Sequence, residues 1–147
     1  MAKVVVDANV LISSVFGGLP LESINLVMSK HKIFYSEDIE KELKGVLQRL
    51  EVKLKDNQIQ KLQENLSKFL SFCKKVSVTE NLSICRDKQD DRYLSLCKQV
   101  RADFLITGDK DLLTIPRKVL RENNITCNII SPAEFIKQEP LYSRAKP

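Results

Sequence analysis

Five aspartates stand where folding could bring carboxylates together. They are Asp7, Asp90, Asp91, Asp109 and Asp111. Converging carboxylates repel one another and raise each other's pKa unless a cation compensates them. Mg²⁺ and Mn²⁺ prefer oxygen ligands, and such an ion can activate water and stabilise charge on an attacked phosphate. The residue types therefore favour metal-dependent hydrolysis of a phosphate ester.

The elements that must position these acids follow from the apolar pattern. Short apolar runs predict strands at 3–6, 32–35, 75–78, 104–107 and 125–130, with helices between them and a short final helix from Pro132. This alternation predicts an α/β fold, a three-layer α/β/α sandwich with a central, mostly parallel sheet. Functional crevices in such sheets lie beyond the carboxyl ends of the strands. Asp7 and Asp109 each follow a strand closely, so we expect them to converge there.

Length and composition predict one domain over residues 1–137 and a flexible tail over 138–147. The chain has 147 residues and a net charge of +5, which is compatible with a polyanionic partner without requiring one. None of its four cysteines forms a C-x-x-C pair, and its one histidine, His31, is predicted in a surface loop, so a zinc site is not expected. We expect no signal peptide, no membrane span and a reducing cytoplasmic location.

The neighbouring acids at 90 and 91 compete for one role. A helix is predicted over 91–101, and Asp90 shares a face with Tyr93, Leu94 and Cys97, on the core side. Asp91 is turned by roughly 100° and should be more exposed. A small error in the helix start would exchange the two, so Asp90 is the preferred ligand and Asp91 stays an alternative.

Each of the other acids also has a purely structural interpretation. Asp7 could cap the following helix, and both Asp109 and Asp111 suit a turn. Asp109 lies nearer the strand end and is the better ligand, while Asp111 could hold a second, weaker metal. Glu40 and Glu42 flank the apolar stripe of one helix on opposite sides, and spacing does not choose between them.

Supporting polar residues lie beside the acids in sequence. Asn9 and Thr107 could each hold an acid or a metal-bound water. Four basic residues near the acids are candidates for positioning phosphates: Arg86, Lys88, Arg92 and Lys110.

Two rival functions belong to other classes. A metal-dependent phosphatase or phosphoacceptor domain also clusters acids at strand ends, but the segment 7–11 lacks the second aspartate and the threonine of a D-x-D-x-T loop. An RNA-binding module without activity could keep the acids for structure alone. The chain has no phosphate-cradling G-x-x-x-x-G-K loop, no serine in a nucleophile elbow and no histidine pair for acid–base cleavage of RNA.

Four segments, taken in order, resemble the motifs of the PIN-domain family, specifically the bacterial toxin-like branch related to VapC toxins. They are Val-Val-Asp-Ala-Asn-Val-Leu-Ile-Ser at 5–13, Ser36 with Glu42-Leu43 and Val46-Leu47, the segment 87–97, and Leu-Ile-Thr-Gly-Asp-Lys-Asp-Leu-Leu at 105–113. The resemblance runs from about Val4 to Phe135. Asp87 lacks the proline that often follows it in the family, a departure that does not touch the chemistry.

The resemblance implies a Mg²⁺- or Mn²⁺-dependent ribonuclease. It places Asp7, Glu42, Asp90 and Asp109 on the family's acidic positions, which selects Glu42 over Glu40. It also implies that the protein is the toxin of a toxin–antitoxin pair. A cognate antitoxin would then cover the site with its C-terminal segment, and the protein would form a homodimer.

Overall fold

The computed structural model describes residues 1–145, with side chains through Pro140. Strands and helices alternate along the chain. In order they are β1 (Lys3–Val6), α1 (Ala8–Ser14), α2 (Gly18–Lys30), β2 (Lys32–Tyr35), α3 (Glu37–Leu50), α4 (Asp56–Ser71), β3 (Cys73–Lys75), α5 (Lys88–Val100), β4 (Phe104–Ile106), α6 (Lys110–Leu113), α7 (Arg117–Glu122), β5 (Asn128–Ile130) and α8 (Pro132–Ala145).

The five strands form one parallel sheet in the order β3-β2-β1-β4-β5. β1 lies at its centre, where Val4 and Val5 have no exposed surface. Burial on both faces is typical of parallel strands covered by helices. The predicted α/β sandwich with a central parallel sheet is confirmed.

The register of the two central strands fixes the position of the predicted site. Val6 of β1 pairs with Ile106 of β4, so both strands end at the same level. The next residues, Asp7 and Thr107, therefore lie side by side at the carboxyl edge of the sheet. The Asp7 N–H donates to the Ile106 carbonyl at 2.9 Å, which continues the ladder by one bond.

α5 carries the acidic segment across one face of this sheet. Its buried face includes Tyr93, Leu94 and Leu96, each at most 2% exposed. Burying one such side chain stabilises the fold by about 1.5 to 3 kcal/mol. This packing fixes how the first turn of α5, with its acids, is presented to the strand ends.

Three predicted boundaries move. β3 lies at Cys73–Lys75, not 75–78. β5 begins at Asn128 and not at 125. α5 begins at Lys88, three residues earlier than predicted, because the Asp87 carboxylate accepts the Gln89 N–H and caps the helix there.

Other differences lie in the last third of the chain. The prediction lacked the short helices α6 and α7. α8 continues to Ala145, through most of the segment predicted as a flexible tail, and residues 146–147 of that segment lie outside the described residues. Glu139, within the same segment, is only 2% exposed.

The surface-loop prediction for His31 is wrong. Its side chain is 2% exposed, and Nε2 lies 3.5 Å from Oε1 of Glu139 in α8. Nδ1 accepts the Ala2 N–H at 3.0 Å. His31 therefore links the start of the chain to its last helix.

One bent pair of helices has the length and apolar composition of a membrane span. Among the described residues no single helix is long and apolar enough to cross a bilayer, and only α1 and α2, bent by 107°, pass that test together.

Candidate active site

Asp7 and Thr107 form the floor of the site at the ends of the two central strands. The Thr107 hydroxyl donates to Asp7 Oδ2 at 2.7 Å and accepts the Asp109 N–H at 3.0 Å. Asp7 Oδ1 accepts the Asn9 N–H at 2.9 Å, so Asp7 also caps α1. Both the capping and the site interpretations of Asp7 fit its geometry. Asn9 contributes its backbone N–H here.

Three carboxylates come together above this floor. Asp90, Asp109 and Asp111 each offer an oxygen, and these oxygens lie within 4.8 Å of one another. Asp90 is in the first turn of α5 and is 5% exposed. Asp109 caps α6 by accepting the Asp111 N–H at 2.9 Å, which holds these two acids in a fixed relation. We call Asp90, Asp109 and Asp111 the acid cluster.

The electrostatics of the acid cluster favour a cation. Burial, a hydrogen bond with Asp109 and the charges of Asp109, Asp87 and Asp7 together raise the pKa of Asp90 to about 7. The folded chain therefore holds an ionised Asp90 at a cost. A hard divalent ion would remove that cost, and its preferred ligands are these carboxylate oxygens. The donor set thus fits Mg²⁺ or Mn²⁺.

Glu42 reaches the site through a tyrosine. Its Oε2 accepts the Tyr93 hydroxyl at 2.6 Å and the Gln89 side-chain amide at 2.8 Å. The Tyr93 oxygen in turn accepts the Ala8 N–H at 2.9 Å, next to Asp7. Burial and the charges of Asp7 and Glu42 raise the pKa of Tyr93, so it stays a hydroxyl donor.

Glu40, the competing acid on α3, faces elsewhere. It forms ion pairs with Lys44 and Lys75, at 3.3 and 3.2 Å. These two lysines lower the pKa of Glu40.

Asp91 accepts hydrogen bonds from the loop before α5, whereas Asp90 belongs to the acid cluster. Like Asp90, Asp91 is buried, at 7% exposed against 5% for Asp90, so the expected difference in exposure between the two is small. Its Oδ1 accepts the N–H groups of Ile84 at 2.8 Å and Cys85 at 2.7 Å. Asp91 therefore fixes the loop before α5 and lies outside the acid cluster.

The four predicted basic residues do not share one surface. Arg86 lies at the acid cluster, with Nη2 3.4 Å from Asp111 Oδ1. Lys88 and Arg92 line a separate cleft beside Asp38. Lys110 is exposed at the start of α6. Arg86 is therefore the basic side chain best placed for a phosphate held at the acids.

Two contacts at the site were missed by sequence reasoning. Tyr93 was predicted only as a core residue, and Gln89 was not singled out. Both bind Glu42, which is 51 and 47 residues away along the chain. The only sequence signal was the hydroxyl of Tyr93 on the same helical face as Asp90, since a buried tyrosine usually finds a hydrogen-bond partner.

The fold is a parallel α/β sandwich, and its carboxylates gather at the strand ends. This combination places the protein among α/β proteins whose site suits a metal cation. A family model for the PIN domain matches residues 3–111. The chain belongs to the PIN-domain family, whose members are generally nucleases that typically use divalent metals.

Similar proteins agree with this assignment. An uncharacterized protein of Methanocaldococcus jannaschii is 33% identical over 144 residues, covering 92% of this chain and 90% of its own. Among solved structures, Pyrobaculum aerophilum PAE2754 superposes with a TM-score of 0.60 at 15% identity, covering 93% of this chain and 88% of that one. Rickettsia felis VapBC2, bound to a DNA fragment from its promoter, gives a TM-score of 0.56 at 16% identity, covering 86% and 98%. The structural matches share the fold.

Proposed function

We propose that this protein is a Mg²⁺- or Mn²⁺-dependent ribonuclease that hydrolyses RNA phosphodiester bonds. The observation that carries the proposal is the acid cluster in a PIN domain, with three carboxylate oxygens within 4.8 Å of one another. A bound divalent ion would supply Lewis-acid stabilisation of the phosphate and a more acidic water. Asp90, Asp109 and Asp111 would hold it, with Asp7 adjacent.

The remaining residues have distinct roles in this proposal. Thr107 holds Asp7 and orients the backbone of Asp109, and so keeps the floor of the site in one geometry. Tyr93 connects Glu42 to the backbone beside Asp7, which makes Glu42 a positioning residue for that side of the pocket. Arg86 would contact a phosphate once Asp111 binds the metal.

We further propose that the protein is the toxin of a toxin–antitoxin pair in a reducing cytoplasm. The similarity in fold to the VapBC2 structure supports an antitoxin partner. Such a partner would cover the acid cluster and so block RNA from the site. A homodimer is proposed on the family resemblance alone.

Cleavage of a mixed pool of single-stranded and structured RNA tests the nuclease proposal. Purified protein would be assayed with Mg²⁺, with Mn²⁺ and with EDTA, beside Asp7→Asn and Asp90→Asn. We expect metal-dependent cleavage that both substitutions abolish while the fold is kept. Intact RNA together with no measurable metal binding would overturn the proposal.

A further inference from the structure

A small cleft opens directly from the acid cluster. Its volume is about 210 Å³. Asp90 and Asp111 line it, and its apolar lining comes from two parts of the chain, Ile84 before α5 and Ile115, Pro116 and Val119 around the start of α7, which we call its two walls. We call it the Ile115 cleft. It is smaller than the pockets of about 300 to 1,000 Å³ that take drug-sized ligands, and it suits a single ring system.

Both walls of the Ile115 cleft are fixed by hydrogen bonds. On one side Asp91 accepts the N–H groups of Ile84 and Cys85, which holds the loop before α5. On the other side the Val119 N–H donates to the Pro116 carbonyl at 3.0 Å, in the first turn of α7. A cleft with fixed walls binds a flat ligand without an ordering cost.

We propose that the Ile115 cleft binds the nucleobase adjacent to the scissile phosphate. The inference rests on the proposed ribonuclease function, since a phosphate at the acid cluster leaves its own nucleoside within one ribose of the cleft. Apolar walls contact the faces of a base, whereas the two carboxylates that line the cleft repel an anion that carries no metal. Arg86, at the mouth and 90% exposed, offers a cation to the neighbouring phosphate.

The other large clefts are less suited to this role. The largest of these, about 610 Å³, is lined by residues between 112 and 129, none of which belongs to the acid cluster. Another, about 520 Å³, contacts the acid cluster at Asp109 alone and leads away along α1 and α2. This second cleft leaves room for the RNA strand to continue on the other side of the scissile bond.

Binding of mononucleotides tests the subsite independently of cleavage. Nucleoside 5′-monophosphates contain no phosphodiester to cut, and ribose 5-phosphate lacks only the base. With Mg²⁺ present, we expect at least one nucleotide to bind about tenfold more tightly than ribose 5-phosphate, since burying roughly 50 to 60 Å² of a base is enough for that gain. Equal binding of nucleotide and ribose phosphate would overturn the proposal.

Filling the cleft should remove the advantage of the base. Val119→Phe is expected to bring nucleotide affinity down to that of ribose 5-phosphate, with Mn²⁺ affinity kept as a check on the acid cluster. Ile129→Phe, which adds the same ring in the largest cleft, is the matched control and should keep the nucleotide preference. An unchanged preference in Val119→Phe would also overturn the proposal.

Cut-site sequencing separates this proposal from the ribonuclease proposal. Wild-type cleavage of a random-sequence RNA should show a base preference on one side of the cut, and Val119→Phe should relax it. If the wild type and Val119→Phe cut RNA with the same base preference, the subsite is refuted and the nuclease proposal stands. If RNA stays intact and no Mg²⁺ or Mn²⁺ binds, while nucleotides still bind through the base, the Ile115 cleft remains a base-binding site and the nuclease is refuted.

Discussion

Each end of the sheet buries a carboxylate, Glu139 at the amino end and Asp90 at the carboxyl end, but the two ends balance the charge differently. At the amino end, buried Glu139 lies 3.5 Å from His31 and 3.6 Å from Lys30. At the carboxyl end, the acid cluster has one ion pair among the described residues, the exposed contact of Arg86 with Asp111 at 3.4 Å. The chain supplies its own partners for the structural acid, the Lys30 ammonium and the His31 imidazole. At the acid cluster it leaves most of the negative charge for a cation from outside.

This comparison predicts opposite consequences for removing charge at the two ends. A carboxylate with internal partners stabilises the fold, so its loss should lower stability without reaching the chemistry. A carboxylate that repels its neighbours is costly without metal, so its loss should abolish function without lowering stability.

The largest effect is expected from Asp90→Asn. Cleavage of RNA should fall at least about 100-fold, because losing groups that merely orient a metal ligand already costs about 10- to 100-fold. The melting temperature in EDTA should stay the same or rise, since one of the repelling charges is gone. RNA cleavage rates measure the loss of activity, and thermal melting in EDTA measures the change in stability.

The next residue provides a matched control for that experiment. Asp91→Asn makes the same chemical change one position along α5, where the carboxylate holds a loop and not the acid cluster. Mn²⁺ affinity should be lost in Asp90→Asn and kept in Asp91→Asn. The reverse pattern would show that Asp91 is the metal ligand.

Glu139→Gln should give the largest loss of stability. We expect the free energy of unfolding to fall by about 1 to 3 kcal/mol, because the neutral amide loses the ion pair with Lys30 and pairs less well inside the protein than the buried carboxylate does. RNA cleavage at a temperature where the variant is folded should not change. Urea denaturation measures the first quantity, and a loss of cleavage in folded protein would show that the two ends are coupled.

Sequence reasoning was most successful where neighbours along the chain also decide the structure. Asp7 and Asp109 were expected at one edge because each closely follows a short apolar strand, and the pairing of Val6 with Ile106 places both segments there.

The parts that sequence reasoning missed depend on distant or short elements. Glu42 and Tyr93 are 51 residues apart, and His31 meets Glu139 only because α2 and α8 pack together. α6 has four residues and α7 has six, which is too short for helical periodicity to appear in the pattern. The Ile115 cleft forms where these two helices and the segment between them meet the loop before α5, so it was not predictable.

Stability should change with pH in opposite directions at the two ends of the sheet. The pKa of Asp90 is raised from 3.8 to about 7, so the folded state binds its proton more tightly, and stability falls as the pH rises through that interval. Burial lowers the pKa of His31 from 6.5, so the folded state releases its proton more readily, and stability rises as the pH rises toward 6.5.

Melting temperatures from about pH 5 to about pH 8 in EDTA measure both contributions. The margin by which Asp90→Asn exceeds the wild type should widen as the pH rises toward about 7. Saturating Mn²⁺ should reverse it, because metal binds only the wild-type cluster tightly. A margin that does not change with pH would mean that Asp90 ionises normally and that the acid cluster is not strained.

The smallest effect is expected from Arg86→Ala, which removes the cation that pairs with the acid cluster among the described residues. Its side chain is 90% exposed, so its pair with Asp111 should contribute little to stability, and melting should stay nearly constant. If Arg86 contacts a phosphate of single-stranded RNA, the slope of log affinity against log salt should fall by about 0.7. Lys88→Ala, on the separate cleft beside Asp38, is the control and should leave that slope unchanged.

A slope that Arg86→Ala leaves intact, with Asp111 still needed for cleavage, would mean that Arg86 only balances the acid cluster. The carboxyl end would then share, in weakened form, the internal charge balance of the amino end.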